Sequence, residues 1–132
     1  MKPFDCIVIG AGPAGLTAAI YLARYRRKVL VFDGGKSRAR WIPESHNCPG
    51  FPGGVSGPEL LGKLRAQLEQ YEAQTISQCV VSIARAASGF TIVDAAGTAY
   101  GARTVLIATG IVDVLPRSAH IEAAIENGIV RL

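Results

Sequence analysis

The chain has 132 residues, 49% of them hydrophobic and 18% charged, with a formal net charge of +4. That length gives one domain with a real core, and that balance excludes a disordered chain. No apolar run approaches the ~18 residues of a membrane span, and no broad basic face with aromatic platforms marks a nucleic-acid binder.

The opening, Met1-Lys2-Pro3-Phe4-Asp5, leads straight into a strand. It lacks the apolar stretch and cleavage site of a signal peptide, so a cytoplasmic address is the default expectation. Residues 4–9 are too uniformly apolar for a sheet with one wet face and are predicted as a buried parallel strand. Gly10-Ala11-Gly12-Pro13-Ala14-Gly15 follows, and residues 13–25 are predicted as a helix. Strand, glycine turn and helix are the context that G-x-G-x-x-G needs to bind a dinucleotide. Gly10 permits the tight turn, Gly12 lets backbone approach a pyrophosphate, and Gly15 lets the helix lie close on the sheet. The helix start then offers free N–H groups and a partial positive charge to phosphate, and Pro13 suits its first turn. Ala14, Ala18, Ala19, Leu22 and Ala23 give the helix a face of mostly small residues. Arg24, Arg26, Arg27 and Lys28 end it, where cations complement the dipole.

Residues 28–32 are predicted as the second strand of a right-handed βαβ unit. Asp33 closes it, at about the 20-residue spacing from the glycine turn expected of an acid that binds an adenosine ribose. An acid there favours the free ribose of FAD or NAD and repels the 2′-phosphate of NADP. Lys36, Arg38 and Arg40 come next, placed either for solvent or for an anionic ligand.

Residues 34–57 form a loop rich in Gly and Pro that holds the chain's single Trp. Loops of that length in compact domains are functional or disordered. The apolar and aromatic content of this one predicts order. His46 reads as a turn or hydrogen-bonding residue ahead of a catalytic one. A helix is predicted over 58–73, with Leu60, Leu61, Leu64, Leu68 and Tyr71 as its core stripe. Strands follow at 78–83, 89–93 and 98–100, the last two joined through the hairpin Asp94-Ala95-Ala96-Gly97, so 78–100 is an antiparallel meander. Residues 104–108 are predicted as another buried strand, ending at Thr109-Gly110. Ala108, Thr109 and Gly110 thus fall on the sheet edge that carries the glycine turn and Asp33, which is where open α/β sheets bind ligands. A short helix is expected over 119–127, stopped by Asn127-Gly128, with an apolar extended segment from Ile129 to Leu132.

The three cysteines are Cys6, Cys48 and Cys79. Odd and widely spaced, they make neither a disulfide framework nor a zinc site. Cys6 and Cys79 are expected inside strands as small core residues, and Cys48 in its Pro/Gly loop is the one with scope for reactivity.

With these pieces in place, the sequence resembles the FAD domain of the two-dinucleotide-fold flavoproteins, and among them bacterial low-molecular-weight thioredoxin reductase and its relatives. Val8-Ile9-Gly10-Ala11-Gly12-Pro13-Ala14-Gly15-Leu16 matches that family's FAD fingerprint. Asn47-Cys48-Pro49-Gly50-Phe51-Pro52 resembles its Asn-x-Pro-Gly-Phe-Pro element, whose Asn approaches the flavin. Gly57-Pro58-Glu59-Leu60-Leu61 resembles the following helix start. Ile107-Ala108-Thr109-Gly110 resembles the turn beside the cofactor, and Leu115-Pro116 the way out to the nicotinamide domain. Gly34-Gly35-Lys36-Ser37-Arg38-Ala39-Arg40 replaces the usual Gly-Gly-Gln and is more similar to the thioredoxin-reductase-like branch.

The resemblance implies a Rossmann-like FAD/NAD(P)-binding fold, α/β, with a parallel central sheet, a β-meander and helices. It implies FAD as cofactor, with NADPH acting only through a further domain. The binding set it implies is Gly10, Ala11, Gly12, Pro13, Ala14, Gly15, Asp33, Gly34, Lys36, Ser37, Arg38, Asn47, Val80, Ala108, Thr109 and Gly110, with no catalytic residue and no metal. The expected activity of the family is electron transfer from NAD(P)H through FAD to a disulfide, the partner being a thioredoxin-like protein or a small disulfide, and the expected assembly is a homodimer. The family's Cys-x-x-Cys does not occur in this sequence. Residues 1–132 are accordingly expected to be the first third to half of such an enzyme, without its nicotinamide domain and its later FAD segment, and inactive alone. The competing readings are a non-enzymatic FAD- or NAD-binding module and part of another flavoenzyme such as a monooxygenase.

Overall fold

The structure, a computed structural model, describes residues 3–130. Its centre is a six-stranded sheet in the order β3-β2-β1-β6-β5-β4. The strands are β1 (Phe4–Ile9), β2 (Val29–Phe32), β3 (Gln74–Ile76), β4 (Val80–Ala86), β5 (Gly89–Asp94) and β6 (Ala99–Ile107). Strands β3, β2, β1 and β6 run parallel, whereas β6, β5 and β4 are antiparallel. The helices are α1 (Pro13–Arg24), α2 (Gly57–Leu68) and α3 (Ile121–Glu126), with a short 3₁₀ turn at Arg38–Trp41. This is the expected Rossmann-like arrangement of parallel strands, meander and helices.

The sheet is buried where it is most apolar. Cys6 and Val8 of β1 and Val29 and Val31 of β2 pack against Leu16, Ala19 and Ile20 of α1 and Leu61 and Leu68 of α2. On the opposite face Ile7, Ile9, Leu30 and Phe32 pack with Ile92 and Ala102 of the meander. Ile7, Val8, Leu30 and Val31 have no exposed surface, and burying each contributes about 1.5–3 kcal/mol. Helix α1 uses Gly15, Leu16, Ala19 and Ile20 as its core face, one step round from the small-residue face read off the sequence; Ala14 is exposed.

Five expectations are corrected. The second helix stops at Leu68 rather than residue 73, because residues 74–76 are taken into the sheet as β3, beside β2. The third cysteine is exposed and lies just before β4 rather than inside a strand. Its own carbonyl accepts the Ala95 N–H at 2.8 Å, which fixes the backbone there, while its sulfur lies beside Gly34 at the end of β2. Residues 98–100 and 104–108 belong to one nine-residue strand, β6. Its first half pairs with β5 and its second half with β1, and Ala102 faces both Phe90 and Phe4 in register. That second half is only partly buried: Val105 packs against the core, whereas Ile107 is 67% exposed, since the helix-covered core lies over β1 and β2. Finally, Ile129 and Val130 are not extended. Both N–H groups bond to the Ala124 carbonyl, wrapping the end of α3; residues 131 and 132 lie outside the described residues.

The long loop is ordered, as its composition predicts. Ser45 and Val55 form an antiparallel bridge. Gly57 N–H donates to Ile42 O at 2.8 Å, and a Cβ on Gly57 would overlap the Ala39 carbonyl, so the start of α2 lies directly against the 3₁₀ turn. The Ser56 hydroxyl caps α2 by accepting the Glu59 N–H at 3.2 Å. Among the described residues no helix is long and apolar enough to cross a membrane, and no cluster of three or more His, Cys, Asp or Glu is placed to hold a metal ion.

Candidate functional site

The carboxyl ends of β1, β2 and β6 meet at one edge of the sheet and open a cleft of about 450 Å³. The glycine turn forms its floor. Gly10 has φ of +110°, which disfavours any side chain, and its N–H donates to Phe32 O at 2.9 Å. A Cβ on Gly10 would overlap the Ala108 carbonyl, so the turn and the end of β6 lie backbone on backbone. Gly15 is buried behind the cleft, where a Cβ would overlap the Gly10 carbonyl oxygen. It serves the close packing of helix on turn and does not line the cleft. Gly12 is different. It has an ordinary extended backbone, φ −78°, and a Cβ there would come only within 3.2 Å of Ser37 Oγ, at the open side.

Helix α1 begins at this turn with no side-chain cap and no acidic residue in its first turn. Its N-terminal partial charge is therefore offered to the cleft uncancelled. Lys36 and Arg38 also line the cleft. Phe32, Asp33 and Gly34 line it from the end of β2, and Ala108, Thr109, Gly110, Ile111 and Val112 line it from the end of β6, the two strands flanking β1 in the sheet. A cavity with a cationic floor, glycine backbone and mixed walls suits an elongated ligand with phosphate at its middle.

The Asp33 carboxylate is held on both oxygens. Oδ1 accepts the Gly35 N–H at 2.8 Å, and Oδ2 pairs with Arg65 Nη2 at 3.2 Å. Arg38 also has a partner, Asp113, at 2.7 Å from Nε to Oδ2.

Most of the residues singled out from the sequence come together here. Gly10, Ala11, Gly12, Pro13, Ala14, Asp33, Gly34, Lys36, Ser37, Arg38, Val80, Ala108, Thr109 and Gly110 all line the cleft. Asn47 does not. It is exposed, and its Oδ1 accepts the Ser45 hydroxyl at 2.6 Å. His46 is also outside, paired with Glu44 at 3.3 Å on the surface, in keeping with a hydrogen-bonding rather than catalytic reading. A second, larger cavity of about 970 Å³ shares Arg38 with the first and runs past Trp41, Ile42 and His46 to Ile125 of α3. Arg40 stacks on Trp41 at its side, 4.3 Å from the ring centroid.

Sequence reasoning missed Gln78 and Cys79, which enter the cleft from the segment before β4, and it missed Arg65 and Asp113. Each is brought in by a long-range packing relation. Their own neighbours in sequence carry no motif.

Comparison with known proteins agrees with this geometry. The family model for pyridine nucleotide-disulphide oxidoreductase matches residues 4–131. The chain is 42% identical over 109 residues to thioredoxin reductase of Streptomyces coelicolor, covering 80% of this chain and 34% of that protein. Among solved structures it is similar to thioredoxin reductase from Giardia duodenalis, with a TM-score of 0.84 at 27% identity over 97% of this chain and 42% of that one. It is likewise similar to thioredoxin reductase from Streptococcus pyogenes, with a TM-score of 0.78 at 34% identity over 85% of this chain and 37% of that one. The chain thus spans about a third of the length of the curated relatives it matches. With a family match over nearly all of its length, the chain belongs to the pyridine nucleotide-disulphide oxidoreductases.

Proposed function

We propose that residues 1–132 are the FAD-binding portion of a thioredoxin-reductase-like flavoprotein and that the first cleft takes the ADP end of FAD. The family's cofactor is FAD, and the cleft fits its ADP half on physical grounds. The observation that carries this reading is the convergence on one cleft of the Gly12 backbone, the uncapped start of α1 and the Asp33 carboxylate. Gly12 and the first turn of α1 would meet the pyrophosphate, with Lys36 and Arg38 supplying counter-charge. Asp33 would accept hydrogen bonds from the adenosine ribose. Ala108, Thr109 and Gly110 would bring backbone close to the far side of the ligand, where Arg38 opens onto the second cavity.

When bound, the flavin supplies the redox chemistry; the chain's own share is to bind it, orient it and exclude water. In the whole protein we place NAD(P)H upstream, in a further domain, and a thioredoxin-like or small disulfide downstream, reduced by thiol exchange. A homodimer is the proposed assembly.

The test is flavin uptake by the purified chain. Added FAD should become protein-bound in a one-to-one complex after desalting, with NADPH-dependent reduction of the disulfide DTNB no faster than free flavin gives. Saturable NAD binding without flavin uptake would replace FAD by a nicotinamide dinucleotide. Measurable DTNB turnover by this chain would overturn the assignment of the remaining steps to a further domain.

A further inference from the structure

We propose that Arg65 is a positioning residue for ribose recognition, holding Asp33 from outside the cleft in the orientation that faces the ribose diol. The inference rests on the dinucleotide reading above and goes beyond it, because Arg65 belongs to no dinucleotide motif and does not line the cleft.

Three contacts fix Asp33. Its N–H donates to Ile76 O at 2.9 Å, which ties the backbone to β3. Oδ1 accepts the Gly35 N–H at 2.8 Å, and Oδ2 meets Arg65 Nη2 at 3.2 Å. The first two contacts are made to the peptide backbone, so β3 and the turn after β2 set them. The third is a side-chain choice, made on a separate helix. Leu61 and Leu68 are buried on either side of Arg65 and seat α2 on the core, so the guanidinium reaches Asp33 from a fixed base.

The Asp33 side chain is 17% exposed, against 46% for Arg65. Asp33 itself lines the cleft, and part of its side chain is left open. An ionised carboxylate has about four acceptor positions. The Gly35 N–H and Arg65 take one on each oxygen, leaving one on each for the two hydroxyls of a ribose. A guanidinium offers a rigid, planar fork of donors, which suits it to holding the carboxylate plane. Without it, rotation of the Asp33 side chain is restrained by Gly35 alone.

The experiment compares ADP with 2′-deoxy-ADP as ligands of the chain, in wild type, Arg65→Gln, Arg65→Lys, Asp33→Asn and the Arg65→Gln/Asp33→Asn pair. A hydroxyl bonded to an oriented carboxylate should give wild type a preference for ADP of roughly tenfold. Arg65→Gln should reduce that preference to about threefold or less, Arg65→Lys should restore part of it, and Arg65→Gln should add nothing in the Asp33→Asn background. Thermal unfolding of the free chain should be nearly the same for Arg65→Gln and wild type, separating positioning from folding. An undiminished preference in both Arg65 variants, or a loss that is equally large without the Asp33 carboxylate, overturns the proposal. Failure of the folded wild type to bind ADP at all overturns the dinucleotide reading itself.

Discussion

Arg38 and Asp113 stand 75 residues apart in sequence and meet at 2.7 Å, joining the loop after β2 to the segment after β6. The pair ties together two segments that both line the cleft, since Arg38 lines it and so do Ile111 and Val112, next to Asp113. Both side chains are about one-third exposed, so the pair contributes no more than about 1 kcal/mol to stability. Its larger effect is local order. Asp113→Asn is expected to change global unfolding slightly while speeding amide exchange in residues 110–114. Hydrogen exchange read by mass spectrometry checks this, and unchanged exchange there would show that the segment is held by packing alone.

Two glycines of the turn make opposite predictions. Gly15→Ala places a methyl group in the Gly10 carbonyl. Relief requires α1 to move off the sheet, at a cost of about 1–3 kcal/mol, so thermal unfolding should shift clearly downward. Gly12→Ala meets only the Ser37 hydroxyl, at 3.2 Å, on an extended backbone that alanine adopts freely. It should unfold within a few degrees of wild type yet bind ADP at least about tenfold more weakly, because the methyl group stands where a pyrophosphate must come. Matched calorimetric melts and ADP titrations of the two variants decide the point.

The Asp94–Tyr100 pair lies just behind the cleft, Tyr100 packing edge-on against Phe32 with ring centroids 5.3 Å apart, and it predicts a pH dependence of stability. Asp94 is 2% exposed and accepts the N–H groups of Ala96 and Thr98 and the Tyr100 hydroxyl. Removing that acceptor in Asp94→Ala should cost about 2 kcal/mol. Burial, with the neighbouring Asp94 carboxylate, pushes the Tyr100 phenol above the ordinary value of 10.0. The fold thus favours the protonated phenol. The stability this contributes is complete below pH 10.0 and is lost as pH rises through the higher value of the folded state. Denaturant unfolding from about pH 8 to about pH 11 should show a steeper loss for wild type than for Tyr100→Phe.

Cys79 gives a chemical probe of occupancy. It is exposed and lines the cleft, whereas Cys6 is buried and Cys48 lies outside the cleft. Saturating ADP or FAD should slow alkylation of Cys79 several-fold and leave Cys48 unchanged, as followed by peptide mass spectrometry. Equal protection of both thiols would point to a general tightening of the chain instead of a ligand beside Cys79.

Much of this arrangement was legible from the chain itself, for local reasons. The glycine spacing, the apolar runs and Asp33 are short-range signals, and they place β1, α1 and β2 without further help. The departures share a different cause. Residues 74–76 are too short a run to mark a strand by alternation and become β3 by pairing with β2. Gly101 breaks the apolar pattern of β6, so one strand reads as two. Leu106 and Ile107 look like core residues, yet both are exposed, on opposite faces of β6, because what covers a sheet is decided by elements elsewhere in the chain. Arg65 and Asp113 enter only through tertiary contacts across 32 and 75 residues of sequence, and no spacing rule reaches so far.

The central claim is that the glycine-turn cleft is the seat of a dinucleotide's ADP end. Amide chemical-shift mapping of the chain during titration with ADP tests it most directly. Saturable shifts are expected, concentrated at Ala11, Gly12, Ala14, Asp33 and Gly34, with residues of the second cavity such as Trp41 and His46 little changed. A folded chain whose shifts do not move, or move chiefly around Trp41 and His46, would contradict it.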